Sequence, residues 1–531
     1  MGGLKLFVAN GKRILWHKKF MFIVCMVCVS GMFQVQSSYA DVTNVAKSFG
    51  GSQASRFYSI SYTQDGGFVA VGDSQAFDGD MVGIAKGGLD AIVVKYDRNG
   101  NREWIDSFGG SAIDRFYEVI TLADGGIVVA GYSQSANYDM SMYGLSPNQR
   151  AAVLVKYSLD GTRQWIRVLE GSGNSIFYGL APTSDGGFVA TGYSTSDDGA
   201  MMGIRKGSDT DSDAIIAKYD ENGNRQWIHS FGGSEADEFQ DVKQTPDGGY
   251  IATGLTKSID NDLQNLRGNK SNLDYDAILV KYDSSGSVAW AKTFGGTGVD
   301  FYIGSEVLIN GRIVATGYSS SIDGDMLGLN KGDYDAIFVI YDQTGNIQSV
   351  RSFGGTRDDF FYTVVGASDG GFVAVGSSMS TSHDLQGLNP PGGNLVHSSV
   401  IAKFDQNGNH MWTNVFWDTE NYIYANEFYG VASMPGGKFF AVGRSKSITS
   451  DHVYKAVIVS YDDLGNSSDF ILPPNDPNTD YGLLCGGLPC NILPGMNVVD
   501  KRQFILANKH DRVDLAILVP SNYNTIIDRW N

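Results

Sequence analysis

The triplet Phe-Gly-Gly recurs down the chain at Phe49, Phe108, Phe231, Phe294 and Phe353, and degenerate copies begin at Leu169 (Leu-Glu-Gly) and Phe416 (Phe-Trp-Asp). Successive starts lie 59, 61, 62, 63, 59 and 63 residues apart. A period of this length means that one supersecondary unit has been copied, each copy burying its apolar faces on its neighbours. Four residues before the start stands Trp104, Trp165, Trp227, Trp290 or Trp412; the two exceptions are Val45 and Ser349.

Each unit reads as four short strands. The first is the Trp-containing run, as in Arg102 to Phe108. The second opens on an aromatic pair, as in Phe116 to Thr121. An Asp-Gly-Gly turn follows, led by Asp65, Asp124, Asp185, Asp247 or Asp369; its residues tolerate the positive φ of a tight hairpin. The third run is apolar throughout, as in Phe68-Val-Ala-Val-Gly72. A longer polar loop leads to the fourth, Asp-Ala-Ile-x-x-Lys-Tyr-Asp, which ends at turns such as Asn99-Gly100, Asn222-Gly223 and Asn407-Gly408. Strands this short and turns this regular exclude a helical repeat. The 67 glycines against 12 prolines, with 42% hydrophobic and only 18% charged residues, agree with an all-β chain and not with a coiled coil or a disordered one.

Seven four-stranded units predict a β-propeller rather than an open solenoid, whose coils are shorter and contribute fewer strands. The two apolar strands belong mid-blade, the amphipathic Trp strand at the outer edge, and the aromatic-pair strand innermost along the channel. Val45 to Phe49 is then an orphan outer strand, placed to complete the last blade and close the ring. Residues 41–470 form the propeller on this reading. Residues 471–531 are either a C-terminal extension or a decayed eighth unit: Trp530 lies 118 residues after Trp412, and Ala516-Ile-Leu-Val519 repeats Ala277-Ile-Leu-Val280. Pro489 and Pro494 would fall in a central strand of that unit, where proline cannot join the ladder, so seven blades are expected and eight is the alternative.

The repeated pattern W-x-x-x-F-G-G-S/T…D-G-G-F-V-A-V-G…D-A-I-x-x-K-Y-D-x-N-G-N resembles the propeller repeats of secreted and surface-exposed bacterial proteins. The resemblance spans residues 45 to about 470. It implies a fold and says little about activity, because propellers host many.

Residues 1–40 have the order of a secretory signal peptide: five basic and no acidic residues up to Lys19, an apolar run from Phe20 to Phe33, and Ser38-Tyr39-Ala40 at the expected cleavage site. Fourteen apolar residues fall short of the ~20 that span a bilayer. The chain is therefore expected to be exported, to the periplasm, the cell surface or beyond, with no membrane insertion after cleavage. Its net charge is −18; loss of the leader leaves 35 basic against 58 acidic residues, or −23. That balance argues against nucleic acid as a partner. Cys485 and Cys490 then remain as the cysteines of an exported chain, which reads as a local disulfide.

Inter-blade links and long polar loops share one face, the hairpin turns the other. Aspartates gather on the first: Asp114, Asp237, Asp300 and Asp359 at one equivalent position, then Asp78 and Asp80, Asp209, Asp211 and Asp213, Asp274 and Asp276, Asp323 and Asp325, and Asp333 and Asp335. Alternating carboxylates in glycine-rich loops suit Ca²⁺. They equally suit turns whose backbone N–H groups need acceptors, and the turn role is the plainer one because every repeat needs those turns. No EF-hand, zinc motif or nucleophile elbow is present. The expected function is non-enzymatic: a binding or scaffold protein whose acidic loop face takes a protein or glycan. The alternatives are a structural subunit of an envelope or secretion assembly docked through residues 471–531, and a propeller hydrolase or lyase acting on polysaccharide.

Overall fold

In a computed structural model of the full chain, residues 46–470 are described apart from 147, 208–210, 268–273, 389–396, 417–424, 447–452 and 469, together with a two-stranded hairpin of Leu484–Cys485 and Leu488–Pro489. The leader, Cys490 and the rest of residues 471–531 lie outside the described residues, as do the expectations placed on them.

Seven antiparallel four-stranded sheets follow one another as blades. Blade 1 runs outward through Ser55–Tyr62, Phe68–Ser74, Asp90–Tyr96 and Arg102–Phe108. The innermost strands of blades 2 to 7 are Asp114–Thr121, Ser175–Pro182, Asp237–Gln244, Asp300–Val307, Asp359–Gly366 and Asn426–Met434. The second and third strands are buried along nearly their whole length, while the Trp strands are half-exposed. This is the expected order: strands packed on both faces are apolar on both faces.

Ala46–Phe49 supplies the outer strand of blade 7, pairing Lys47 with Ile458 and Phe49 with Ala456. The chain beyond the last hairpin completes that edge, through the bridge between Tyr461 and Ser467 and the Ser468 amide on the Ser460 carbonyl. Phe470 then packs on Phe440, with the Lys47 ammonium over its ring. Closure thus joins both ends of the described chain in one blade, leaving no open sheet edge facing a missing neighbour.

The core is a set of wedges between blades. Phe57, Phe68 and Ile92 of blade 1 pack on Phe440, Val442 and Ile458 of blade 7, and equivalent clusters fill the other gaps. The Trp side chains belong to this packing: Trp104 stacks on Tyr157 of the next blade and donates its indole N–H to the Leu159 carbonyl at 2.9 Å. Each of five blades also buries a lysine of its third strand against the aspartate of its own Asp-Gly-Gly turn: Lys95–Asp65, Lys156–Asp124, Lys218–Asp185, Lys281–Asp247 and Lys403–Asp369.

Candidate functional site

Every innermost strand carries a β-bulge at the same place, one residue beyond its buried aromatic: at Tyr58, Tyr117, Tyr178, Gln240, Ile303, Tyr362 and Tyr429. A bulge leaves one residue unpaired and re-aims its side chain. Here it lets the buried aromatic, such as Phe57, pack between blades while the next residue lines the channel. Five consecutive blades place tyrosine there, and the rings touch in series. Tyr178 meets Tyr117 at 5.0 Å, Tyr117 meets Tyr58 at 5.2 Å, Tyr58 meets Tyr429 at 5.3 Å, and Tyr429 meets Tyr362 at 5.4 Å. Gln240 and Ile303 complete a collar of seven.

On the hairpin-turn side of the collar lies a cavity of about 1160 Å³. Its wall bears Glu118, Asp241, Lys243 and Glu306, and its rim includes Tyr62, Ile309 and Pro435. Lys243 is paired with Asp241 at 2.9 Å, and Asp241 also accepts the Ser305 amide and hydroxyl. Burial pushes Glu118 up to about 7 and raises Glu306 as well, against the pull of Lys243. Burial works against the lysine's charge too, but Asp241, Glu306 and Glu118 together hold its pKa above the ordinary value.

On the loop side the collar is topped by a second ring of different chemistry. Over blades 7, 1 and 2 it is basic. Asp73, itself buried, accepts from Arg56 Nε at 2.9 Å, from Arg115 Nε at 2.7 Å and from Tyr58 Oη at 3.2 Å. The Arg115 guanidinium also lies over Tyr58, Tyr117 and Tyr132, and the exposed Arg150 lies over Tyr132 at 5.7 Å. Arg444 pairs with Glu427 at 2.6 Å and sits 4.4 Å over the Tyr454 ring. Over blades 5 and 6 the ring is aromatic, with Phe301, Tyr318, Tyr334 and Phe360 in edge-on contact at 4.9 to 5.5 Å.

The aspartates singled out in the loops divide into three sets. Asp78 and Asp323 accept the amides of Ser52 and Thr297, and Asp80 and Asp325 those of Gly50 and Gly295. The long loop of each of these blades is thereby tied to the Phe-Gly-Gly link before it. Asp213, Asp276 and Asp335 begin third strands and are buried: Asp213 and Asp335 accept loop amides, and Asp276 pairs with the buried Arg267 at 2.7 Å. Asp211 and Asp274 accept arginine N–H groups on their backbone carbonyls, Asp333 is exposed, and Asp209 lies outside the described residues. Among the described residues no three His, Cys, Asp or Glu side chains converge as a metal cluster.

Asp114, Asp237, Asp300 and Asp359 do not contribute to an acidic surface. They are buried as the first residues of innermost strands, where each accepts a glycine amide and serine or threonine hydroxyls, as Asp237 does from Gly233, Thr256 and Ser258. Hydrogen-bond donors hold these carboxyls, but burial dominates: Asp237 is pushed up to about 7 and Asp300 and Asp359 to about 6. Asp90 rises to about 6 for the same reason, with Asp114 nearby adding to it. A folded-state pKa raised above the unfolded value gives stability that is complete below the unfolded value, near 4, and lost as pH rises through the folded one. Turn aspartates such as Asp65 and Asp342 are lowered, and their contribution is lost in acid. The melting temperature is therefore expected to peak near pH 5 and to fall toward pH 8. Asp237→Asn, which blade 7 already carries at that position as Asn426, should reduce the fall. A profile flat from pH 5 to 8 in the native chain would contradict this.

Sequence reasoning placed the aromatic pairs innermost but missed what the second aromatic does. Its signal is the Phe-Tyr dipeptide of units 1, 2, 3, 6 and 7, which says nothing about a bulge.

Fold and channel define the chain as a seven-bladed β-propeller. No family model matches it. It is similar to an uncharacterized WD repeat-containing protein of Acanthamoeba polyphaga mimivirus, 25% identical over 269 residues, a match covering 41% of this chain and 19% of that protein; the chain thus spans about a fifth of that relative's length. Among solved structures it resembles the Neurospora crassa Pan2 WD40 domain (10% identity, TM-score 0.41, covering 76% of this chain and 89% of that one). A protein of unknown function from Dyadobacter fermentans gives 11% identity and a TM-score of 0.37, covering 78% and 98%. A gluconolactonase from Xanthomonas campestris gives 12% and 0.28, covering 64% and 91%.

Proposed function

We propose that the protein is an exported, non-enzymatic propeller that uses its loop face to bind a protein or glycan. The observation that carries this is the mouth of the channel on that face, where arginine and aromatic side chains converge half-exposed on a frame fixed by seven bulges. Exposed apolar side chains on the surrounding loops, Val82, Met142, Met202 and Leu327, add contact surface of the kind that marks interaction sites. The full chain, expressed with its leader, is expected outside the cytoplasm and beginning at Asp41; a cytoplasmic pool retaining residues 1–40 would overturn the export. Binding is tested by passing the mature protein over immobilised envelope proteins and polysaccharides. Retention should be lost when loop-face residues such as Leu327 and Met202 are changed to serine or charge is reversed at the mouth.

The loop aspartates enter this reading as tie-points. Adding Ca²⁺ or EDTA is expected to leave the melting temperature unchanged, since the oxygens of Asp78, Asp80, Asp323 and Asp325 already accept backbone amides. A saturable rise would make them ligands, because a ligand at a hundredfold its Kd stabilises by about 2.7 kcal/mol.

One observation favours a second reading, polysaccharide hydrolysis or elimination. The cavity beyond the collar holds carboxyls with raised pKa beside a lysine, and such perturbations gather at catalytic sites. Turnover of a polysaccharide panel, lost in Glu118→Gln, would establish it.

A further inference from the structure

The chain as a whole is strongly acidic, yet the solvent-facing charge at the loop-side mouth of its channel is positive. Arg56, Arg115, Arg150 and Arg444 border the arc over blades 7, 1 and 2. Three carboxylates oppose them: Asp73 and Glu427, both buried beneath the guanidiniums they hold, and Glu238, which faces Arg150. Arg56, Arg115 and Arg444 retain a fifth to a quarter of their side-chain exposure, and Arg150 is exposed. Glu238 is contributed by blade 4; burial pushes it up to about 7, against the pull of Arg150. Across the mouth stand Phe301, Tyr318, Tyr334 and Phe360, flanked by Tyr275 with the Lys257 ammonium 4.3 Å over its ring and by His397 against Phe360.

A mouth with a guanidinium arc on one side and an aromatic arc on the other selects a ligand that is anionic at one place and offers a flat apolar face at another. Guanidinium forks bind planar carboxylates, and aromatic side chains present rigid amphipathic surface at small entropic cost. The tyrosine collar forms the floor, so a ligand lies across the mouth and spans both arcs. An extended polymer of charged rings meets those requirements. An acidic peptide would additionally call for apolar pockets for its side chains or a free strand edge.

We propose that this mouth binds an acidic polysaccharide, one whose sugar rings carry carboxylates, with Arg150, Arg115 and Arg56 taking the carboxylate and Phe301 and Phe360 the ring face. The proposal rests on the binding role of the loop face put forward above and names its ligand class.

The test is calorimetric titration of the mature full chain with oligogalacturonate, with a neutral glucan oligomer and with a poly-glutamate peptide as comparisons. Oligogalacturonate alone should bind, with affinity falling as salt rises. Arg150→Glu, a surface change that leaves Asp73 with both its arginines, should weaken it at least tenfold, and Phe301→Ser should do so independently with the melting temperature retained. Equal affinity for the neutral oligomer would overturn the charge selection. Preference for poly-glutamate would assign the mouth to an acidic protein segment instead. Binding of oligogalacturonate unchanged in both variants would move the site elsewhere while leaving a binding role intact. No binding to any of the three, with envelope proteins or other glycans still retained on a column, would refute this ligand class but not the role of the face. Loss of that retention as well would remove both.

Discussion

Gly254→Ala is expected to unfold its blade, costing at least about 4 kcal/mol. The second strand of every blade has glycine opposite the residue before the bulge: Gly72, Gly131, Gly192, Gly254, Gly317, Gly376 and Gly443. A Cβ on Gly254 would lie 1.9 Å from the Glu238 carbonyl oxygen, and the other six meet the same backbone atom at 1.8 or 1.9 Å. Normal contact between such atoms is about 3.5 Å. A carbonyl in a ladder cannot retreat that far without surrendering its strand pairing. The effect is steric rather than conformational, and Gly328→Ala separates the two. Gly328 has a φ of +76° but nothing within 4 Å of its Cβ, so alanine there should cost only about 1 kcal/mol. Thermal and urea unfolding of the two variants would check the difference. Similar losses in both would mean that the bulge yields to the added methyl.

Asp124→Ala should cost roughly 3 kcal/mol, and Lys156→Met in the same chain should restore most of it. Lys156 is 5% exposed, and its ammonium is held by Asp124 at 2.6 Å and by the Glu221 carbonyl at 3.0 Å. Removing the partner of a buried charge costs about 3–5 kcal/mol, whereas replacing both members by apolar groups is often near neutral. Asp124 is partly solvated, which sets the loss at the low end. The chain already contains the double replacement. Blade 5 has Ile340 with Asn310 at these two positions, and blade 7 has Ser460 with Gly436. Lysine and aspartate are thus present together in five blades and absent together in the other two, as an obligate pair would be. Unfolding of the single and double variants gives the coupling directly. A double variant as unstable as Asp124→Ala would show that Lys156 is not the reason for that loss.

Much of this architecture is local and could be read from residues alone. The sixty-residue period, the Asp-Gly hairpins, the strand order and the closing role of residues 46–49 all depend on alternation, turn chemistry and counting, each of which acts over a few neighbouring residues.

What tertiary structure alone decided is which side chain faces the channel and where charge ends up. Tyr58 and its counterparts follow a buried phenylalanine in sequence, and only the bulge, a consequence of pairing with a glycine on the next strand, turns them inward. Asp114, Asp237, Asp300 and Asp359 look like loop acids in a linear reading, but they are interior because the glycine link, the hydroxyls of their own blade and the preceding blade enclose them. Arg56, Arg115, Arg150 and Arg444 are scattered over 389 positions of a net-acidic chain. They form one arc because ring closure brings blade 7 beside blade 1, and long-range juxtaposition of that kind leaves no trace in local pattern.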